Sequence, residues 1–278
     1  MRIGKPCQDA NAQDSWKDGY AVIAVADGHG SDSSPYSADG AAAAVSVFCK
    51  YMKSLCKSYQ NELDRLFFLL KEEGDIQVSR RIKLLWEDAI KDIHKRNTRV
   101  ESLDDHKTLD VLYGTTLLGL LITPVFHFAF QIGDGNIIII NNGIPRFAVD
   151  APHLLGTETY SLSSENADRY CHTSLFRMLE KKDFQYILST DGFYNSFPSE
   201  ADYLNACTEY ISMIKEYGYL IFDRVLSDWL NDTSKHGCGD DITFSVTFCK
   251  HMFKPITQNS RKKKFIRKGF YQKQNKCK

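Results

Sequence analysis

The sequence has no C-x-x-C pair among its eight cysteines and no signal-peptide pattern in its first residues. The cysteines and histidines also lack the spacing of zinc ligands, so a structural zinc site is not predicted. Reduced thiols in a cytoplasm are the simplest interpretation of this pattern. With 43% hydrophobic and 25% charged residues, the 278-residue chain has an ordinary globular composition. We therefore expect one large domain rather than a disordered or fibrous protein.

Negative charge is missing from the end of the chain. No acidic residue follows Asp241, whereas residues 250–278 hold 11 lysines and arginines. Residues 1–249 hold the other 24 of the 35 basic side chains and all 35 acidic ones, so their net charge is −11. We predict a domain at 1–249 and a basic flexible tail at 250–278, whose partner would be acidic. The tail carries no recognised nucleic-acid motif, so a nucleic-acid partner is not expected.

Charged residues are also missing from the run at 114–133, which is long enough to suggest a membrane span. Pro124 in its middle argues against a continuous helix, and the β-branched and aromatic residues around it favour strands. We interpret the run as two strands that turn at Thr123 and Pro124, and we expect no membrane partner.

Strictly alternating strand–helix units are absent, which argues against a Rossmann or P-loop fold. The hydrophobic patterns predict helices, then strands, then helices, then a last strand, and this order is typical of an α+β fold with layered antiparallel sheets. The predicted strands are 20–27, a four-strand meander between 112 and 149, 185–192 and 242–248; the predicted helices are 34–55, 76–98, 199–217 and 219–231, and 150–183 is predicted to be irregular.

Acidic residues stand beside glycine at the ends of apolar strands in four places. They are Asp27 in VADG, Asp134 in IGDG, Asp191 in STDG, and Asp240 with Asp241 in GCGDD. Taken singly, each Asp-Gly pair is more often a turn than a ligand site. Together they indicate a site for a hard divalent cation such as Mg²⁺ or Mn²⁺, which binds oxygen ligands and keeps several waters.

The order of these motifs resembles the metal-dependent protein serine/threonine phosphatases of type 2C, especially their compact bacterial branch. The resemblance covers residues 4–249 and implies a four-layer α-β-β-α sandwich of two antiparallel sheets flanked by helices. It also implies that the protein hydrolyses phosphoserine and phosphothreonine in proteins, with two Mn²⁺ or Mg²⁺ ions and a third ion that is more weakly bound. The substrate would be a phosphoprotein made by a cognate serine/threonine kinase. The motifs that carry it are QDA (8–10), VADGHGS (25–31), YGTTL (113–117), IGDG (132–135), STDGFYNSF (189–197) and GDDIT (239–243).

The resemblance also implies a role for each matched residue. Asp27 would bridge the two ions, with the carbonyl oxygen of Gly28 as a further ligand, and Asp191 and Asp240 would hold the first ion. Asp134 would belong to the third, weaker site.

Two further positions complete the implied site. Asp9 and its neighbour Gln8 would act on waters of the metal site. His29 would be the general acid that protonates the leaving oxygen, and we expect it to stay protonated near the clustered carboxylates.

The start of the chain departs from the family pattern. Eukaryotic members carry a phosphate-binding arginine five positions before the acid matched by Asp9, and this chain has Gly4 there. Arg2 and Lys5 are the nearby candidates for substrate binding, although neither aligns with that arginine. The family also reaches this point by an edge strand, which the few residues before Gln8 are too short to form. We therefore expect that the first strand is missing from this chain. Either its start codon is misassigned, which we favour, or the protein itself lacks the strand and tolerates a weakened wall of the first metal site.

Two alternatives of other classes remain open. The first is a catalytically silent module that keeps the fold in order to bind a partner, and its expected mark would be the loss of Asp27, Asp191 or Asp240. All three are present. The second is a metal phosphoesterase that acts on small molecules or nucleic acid, which the basic tail would favour.

Overall fold

Nine strands form two antiparallel sheets in the computed structural model, which describes residues 7–97, 108–151, 159–178 and 184–248. The first sheet has the order β1-β2-β3-β4-β7 and the second the order β6-β5-β8-β9. The strands are β1 (Ala10–Lys17), β2 (Tyr20–Ala26), β3 (Leu117–Ile122), β4 (Phe126–Ile132), β5 (Asn136–Asn141), β6 (Ile144–Phe147), β7 (His172–Arg177), β8 (Phe184–Ser189) and β9 (Phe244–Thr247).

Helices cover the outer face of each sheet. The α1–α3 group packs on the first sheet, and α6 and α7 pack on the second. The helices are α1 (Ser37–Ser58), α2 (Leu63–Glu73), α3 (Ser79–Arg96), α4 (Leu109–Leu112), α5 (Asp191–Tyr194), α6 (Glu200–Tyr217) and α7 (Tyr219–His236), with a π-helical turn at Gly74–Val78 and a 3-10 turn at Ala167–Arg169.

The central strands are apolar on both faces because each sheet is covered on both sides. In β2, Val22 and Ala24 face the α1–α3 layer, whereas Ile23 and Val25 face the second sheet. In β5, Ile138 and Ile140 face α6 and α7, whereas Ile137 and Ile139 face the first sheet. This alternation gives four layers, α-β-β-α, and confirms the predicted fold class.

The uncharged run at 114–133 forms β3 and β4, as predicted. Thr123 fixes the turn between them, because its hydroxyl donates to the Phe126 carbonyl oxygen at 2.7 Å and accepts the Phe126 N–H at 2.9 Å. In the described part of the chain, no helix is both long and apolar enough to cross a bilayer.

The predicted four-strand meander is wrong in its connections. β3 and β4 form a hairpin in the first sheet, but β5 and β6 form a hairpin in the second. The chain changes sheets at Gly133–Gly135, where Gly133 adopts φ +109°. The GDG segment is therefore a crossover between layers rather than a hairpin turn.

Five of the labelled elements were not predicted from the sequence, namely β1, α2, β7 and the short helices α4 and α5. β7 lies within 150–183, which was predicted to be irregular, and it pairs with β4 through six residues. Helix α1 also begins at Ser37 rather than near Ser34, because the Ser34 hydroxyl donates to the Val111 carbonyl oxygen at 2.6 Å and does not cap the helix.

Several sequence-based predictions lie outside the described residues. They concern Arg2, Lys5, the first strand expected before Gln8, and the basic tail at 250–278.

Candidate metal-binding active site

Asp27 directly follows β2 and is held by its backbone. Its N–H donates to the Thr116 hydroxyl at 3.0 Å, and its carbonyl oxygen accepts both the Thr116 N–H and the Thr115 hydroxyl at 2.9 Å. These bonds connect the end of β2 to the residues just before β3. The two threonines of the YGTTL motif therefore fix the position of Asp27.

Asp9 lies across from Asp27 at the end of the β1–β2 ladder. Ala10 of β1 pairs with Ala26 of β2 at the end of the ladder. Asp9 precedes Ala10 and Asp27 follows Ala26, so the two acids lie opposite each other just outside the ladder. Gly28 keeps the chain here in close contact, because a Cβ on Gly28 would lie 2.7 Å from the Gln8 carbonyl oxygen and 2.8 Å from that of Ser37. A side chain at position 28 would push the N-terminal segment away from the site.

Asp191 and Asp240 come from neighbouring strands of the second sheet. Asp191 follows β8 and opens α5, and Asp240 lies four residues before β9. The two segments touch at Gly192, where a Cβ would lie 2.2 Å from the Asp241 carbonyl oxygen. Asn195 donates its side-chain N–H to Asp191 Oδ2 at 2.9 Å, which orients that carboxyl group.

Asp134 lies on the crossover between the two sheets and is exposed. Its carboxyl group accepts a hydrogen bond from the Thr159 hydroxyl. Asp134 also acts electrostatically on Asp27, His29 and Asp191, which shows that the crossover is at the same end of the sandwich.

Burial and neighbouring charges raise the pKa values of three carboxyl groups at this end. Burial raises the pKa of Asp27 well above its ordinary value, and the nearby Asp9 and Asp191 raise it further. Burial also raises the pKa of Asp9, although hydrogen bonds from Thr243 and Thr190 act against this. The pKa of Asp191 rises to about 6 through burial and the charges of nearby acids. A cation bound among these groups would reverse all three shifts.

The donor set fits a hard divalent cation that keeps water. The charged groups that act most strongly on Asp27 and Asp191 are all acidic. Within the described residues, no three Asp, Glu, His or Cys side chains form a complete ligand set by themselves. The acids meet in pairs instead, Asp9 with Asp27 and Asp27 with Asp191. Mg²⁺ commonly binds through one or two carboxylates and several waters, and Mn²⁺ takes the same oxygen ligands.

His29 stands at the side of the carboxylate cluster. The backbone N–H of His29 donates to the Gly114 carbonyl oxygen at 3.0 Å. The ring also lies close to Gly114, because a Cβ on Gly114 would be 2.6 Å from the ring nitrogen Nδ1. The other ring nitrogen, Nε2, is buried and has no hydrogen-bond partner among the described residues. Burial lowers the pKa of His29 more than Asp134 raises it. This balance is the opposite of the expectation that nearby carboxylates keep the ring protonated.

The structure brings seven of the predicted site residues to one end of the sandwich, namely Asp9, Asp27, Gly28, His29, Asp134, Asp191 and Asp240. Sequence reasoning missed the residues that hold them, which are Thr115, Thr116, Thr159, Thr190, Asn195 and Thr243. Five of these six residues lie within the quoted motifs, so the motifs contained them. Their roles were missed because a motif does not show hydrogen bonds between residues that are distant in sequence. Thr159 lies outside every motif, and no signal in the sequence indicates it.

Solved phosphatase structures share this fold. A bacterial serine phosphatase matches with a TM-score of 0.57 and 13% identity over 89% of this chain and 93% of its own. The serine/threonine phosphatase Stp1 from Staphylococcus aureus matches with a TM-score of 0.54 and 13% identity over 90% and 91%. The catalytic domain of the serine/threonine protein phosphatase PstP, solved with two manganese ions, matches with a TM-score of 0.51 and 14% identity over 88% and 91%. At such low identity, the likeness shows a common fold.

Sequence comparison identifies the family. A search of curated protein sequences found no match. Residues 1–231, however, match the family profile described as Protein phosphatase 2C. This match covers most of the 278 residues and includes every quoted motif except GDDIT at 239–243. The chain therefore belongs to the protein phosphatase 2C family, as its motifs predicted.

Proposed function

We propose that this phosphatase hydrolyses phosphoserine and phosphothreonine in proteins and depends on Mn²⁺ or Mg²⁺. The observation that carries the proposal is the group of half-buried acids at one end of the sandwich, where burial and neighbouring carboxylates raise the pKa values of Asp27 and Asp191. Asp27 would bridge two ions with the help of the Gly28 carbonyl oxygen. Asp191 and Asp240 would hold the first ion, and Asp9 would hold waters around it, while Asp134 would serve a third ion.

Two bound divalent ions supply an activated water and neutralise charge on the phosphoryl oxygens. The chain itself contributes the alignment of this site and a proton. Thr115 and Thr116 fix Asp27, and Asn195 fixes Asp191. The candidate proton donor to the serine or threonine oxygen is the protonated ring of His29. Its Nε2 is buried and without a partner among the described residues, and burial lowers the pKa of the ring, which favours release of the proton. A phosphorylated side chain entering the site would supply the missing hydrogen-bond partner.

The substrate would be a phosphoprotein made by a cognate serine/threonine kinase, in a cytoplasm. Two features outside the described residues would contribute to binding. Arg2 and Lys5 would contact the phosphate, and the basic tail would contact an acidic partner.

A comparison of substrates tests this function. The purified protein with Mn²⁺ should release phosphate from phosphoserine and phosphothreonine peptides, and much more slowly from a nucleoside monophosphate or a single-stranded oligonucleotide with a terminal phosphate. Faster release from the nucleotide substrates would favour the small-molecule or nucleic-acid phosphoesterase instead. No release from any substrate, by a folded protein that binds Mn²⁺, would favour the silent module.

A further inference from the structure

Asp9 occupies an electrostatically unfavourable position. It lies directly across from Asp27 at the end of the β1–β2 ladder, where burial raises the pKa of Asp9 and the Asp9 charge opposes the ionisation of Asp27. A hydrogen bond with the Asp27 carboxyl group offsets only part of this cost, because the pKa of Asp9 stays raised. Some other interaction must therefore keep Asp9 beside Asp27 rather than turned towards solvent.

Two hydroxyl groups from the second sheet supply that interaction. The Thr190 hydroxyl lies 3.0 Å from Asp9 Oδ2. The Thr243 side chain lies beside the same carboxyl group and acts to lower its pKa. Asp9 directly precedes β1 in the first sheet. Thr190 directly follows β8, and Thr243 directly precedes β9, in the second sheet. The contact thus crosses between the two sheets of the sandwich.

The direction of the Thr190 hydrogen bond is fixed by its surroundings. The Thr190 oxygen accepts the Thr243 N–H at 2.9 Å, and a backbone N–H can only donate. The single proton of the Thr190 hydroxyl is therefore available for Asp9. Thr190 is 1% exposed, so water does not compete for that proton.

The same two threonines join the segments that carry the other acids. Thr190 precedes Asp191, and Thr243 follows Asp240 and Asp241. Their backbones are also bonded, with the Thr190 N–H donating to the Thr243 carbonyl oxygen at 3.0 Å. A shift at the end of β8 would therefore move both Asp191 and Asp9. A shift at the start of β9 would move both Asp240 and Asp9.

We infer that Thr190 and Thr243 are positioning residues that hold the Asp9 carboxylate in the divalent-cation site and couple it to the Asp191 and Asp240 segments. The inference rests on the proposed function, because it concerns the cation site. Residues that orient a ligand typically change metal affinity 10–100-fold when they are replaced. The hydroxyl groups, rather than the shape of the side chains, should carry this effect.

The test is Mn²⁺ binding to chelator-treated protein without substrate, measured from the electron paramagnetic resonance signal of free Mn²⁺. Thr190→Val keeps the shape of the side chain and removes the hydroxyl, and it should weaken binding at the site by about 10-fold or more. Thr243→Val should act in the same direction. Thr190→Ser restores the hydroxyl and should bind Mn²⁺ within about threefold of the wild type.

Thr208→Val is the matched control, because it removes a hydroxyl that bonds within α6, to the Leu204 carbonyl oxygen, and is far in sequence from all the acids of the site. It should bind Mn²⁺ as the wild type does. Thermal unfolding in chelator shows whether each variant is folded; if Thr190→Val unfolds, the comparison rests on Thr243→Val and Thr190→Ser. Wild-type affinity in both valine variants would overturn this inference alone. A wild-type protein that binds no Mn²⁺ would overturn the proposed function and this inference with it.

Discussion

Gly192 leaves no room for a side chain at the contact between the Asp191 and Asp240 segments. An added Cβ would lie 2.2 Å from a backbone oxygen, that of Asp241. Gly192→Ala should therefore lower the free energy of unfolding by about 1–3 kcal/mol, in the range of overpacked cores. Urea denaturation measures this change. Gly74→Ala is the control, because its Cβ would meet neighbours only at 3.4 Å, and it should stay within about 1 kcal/mol of the wild type. Equal effects of the two substitutions would contradict the crowding at Gly192.

His29 should contribute to turnover but not to metal binding, unlike the acids of the site. If its ring protonates the leaving oxygen, His29→Gln should bind Mn²⁺ normally and lower turnover of an alkyl phosphate by about 10²–10⁴-fold. Turnover of an aryl phosphate should fall much less, because a phenolate leaves without a proton. Steady-state kinetics on both substrates decide this. Equal losses on the two substrates would mean that His29 has a structural or ligand role.

Asp191 and Asp240 should both be indispensable. Asp191→Asn and Asp240→Asn each remove a charge from the proposed site of the first ion, so turnover should fall to nearly zero while the fold persists. Circular dichroism and phosphate release measure the two properties. Asp228→Asn removes an exposed charge from α7 and should leave turnover unchanged. Near-normal turnover in either site variant would contradict the assignment of that residue.

At the scale of elements, β4 and β8 are connected by a buried His127–Tyr186 pair. His127 Nδ1 lies 2.9 Å from the Tyr186 hydroxyl, and burial lowers the His127 pKa to about 4. A folded pKa below the ordinary value of about 6.5 means that the pair's stability is present above pH 6.5 and is lost as the pH falls towards 4. Between pH 7 and pH 5 the loss should be about 2 kcal/mol.

The change is measured by urea denaturation at the two pH values. His127→Gln cannot titrate, so it should lose about 2 kcal/mol less than the wild type between pH 7 and pH 5. His236→Gln, at an exposed site on α7, should behave as the wild type. If His127→Gln is as acid-sensitive as the wild type, the protonation of His127 does not limit stability.

The sequence predicted the elements whose patterns are strong. Five strands, β2, β3, β4, β5 and β8, are continuous apolar runs because they are buried on both faces. β1 was missed because it is an edge strand with polar residues such as Asn11 and Gln13 on its exposed face. The separation of β4 from β5 was missed because a Gly-Asp-Gly crossover and a hairpin turn have the same composition.

The site residues could likewise be predicted only where the sequence pattern itself carries them. The acids could be predicted because they stand at strand ends in a recognisable order. Their supports could not, because the Thr190–Asp9 bond joins residues 181 positions apart in different sheets. The position of His29 was predicted, but the direction of its pKa shift was not, since burial depends on packing that the motif does not encode.

For the whole molecule, the uneven charge of the chain leads to a prediction about the tail. Residues 1–249 have a net charge of −11, and the last 29 residues hold 11 cations and no acid. A chain that ends at residue 252 should keep its turnover of a small aryl phosphate. It should bind a poly-glutamate peptide more weakly than the full chain at about 50 mM salt, and the difference should shrink at about 300 mM. Fluorescence anisotropy measures this binding. Loss of turnover or folding in the shorter chain would mean that the tail belongs to the domain.

The central claim is that half-buried acids at one end of the sandwich form a divalent-cation site that drives phosphoester hydrolysis. The most direct measurement is phosphate release from a phosphoserine peptide by chelator-treated protein during a titration with Mn²⁺, followed by excess chelator. The account predicts no release at first, a rise that saturates with Mn²⁺ in the wild type and is absent in Asp240→Asn, and a return to zero in chelator. Full release by the wild type in excess chelator would contradict it.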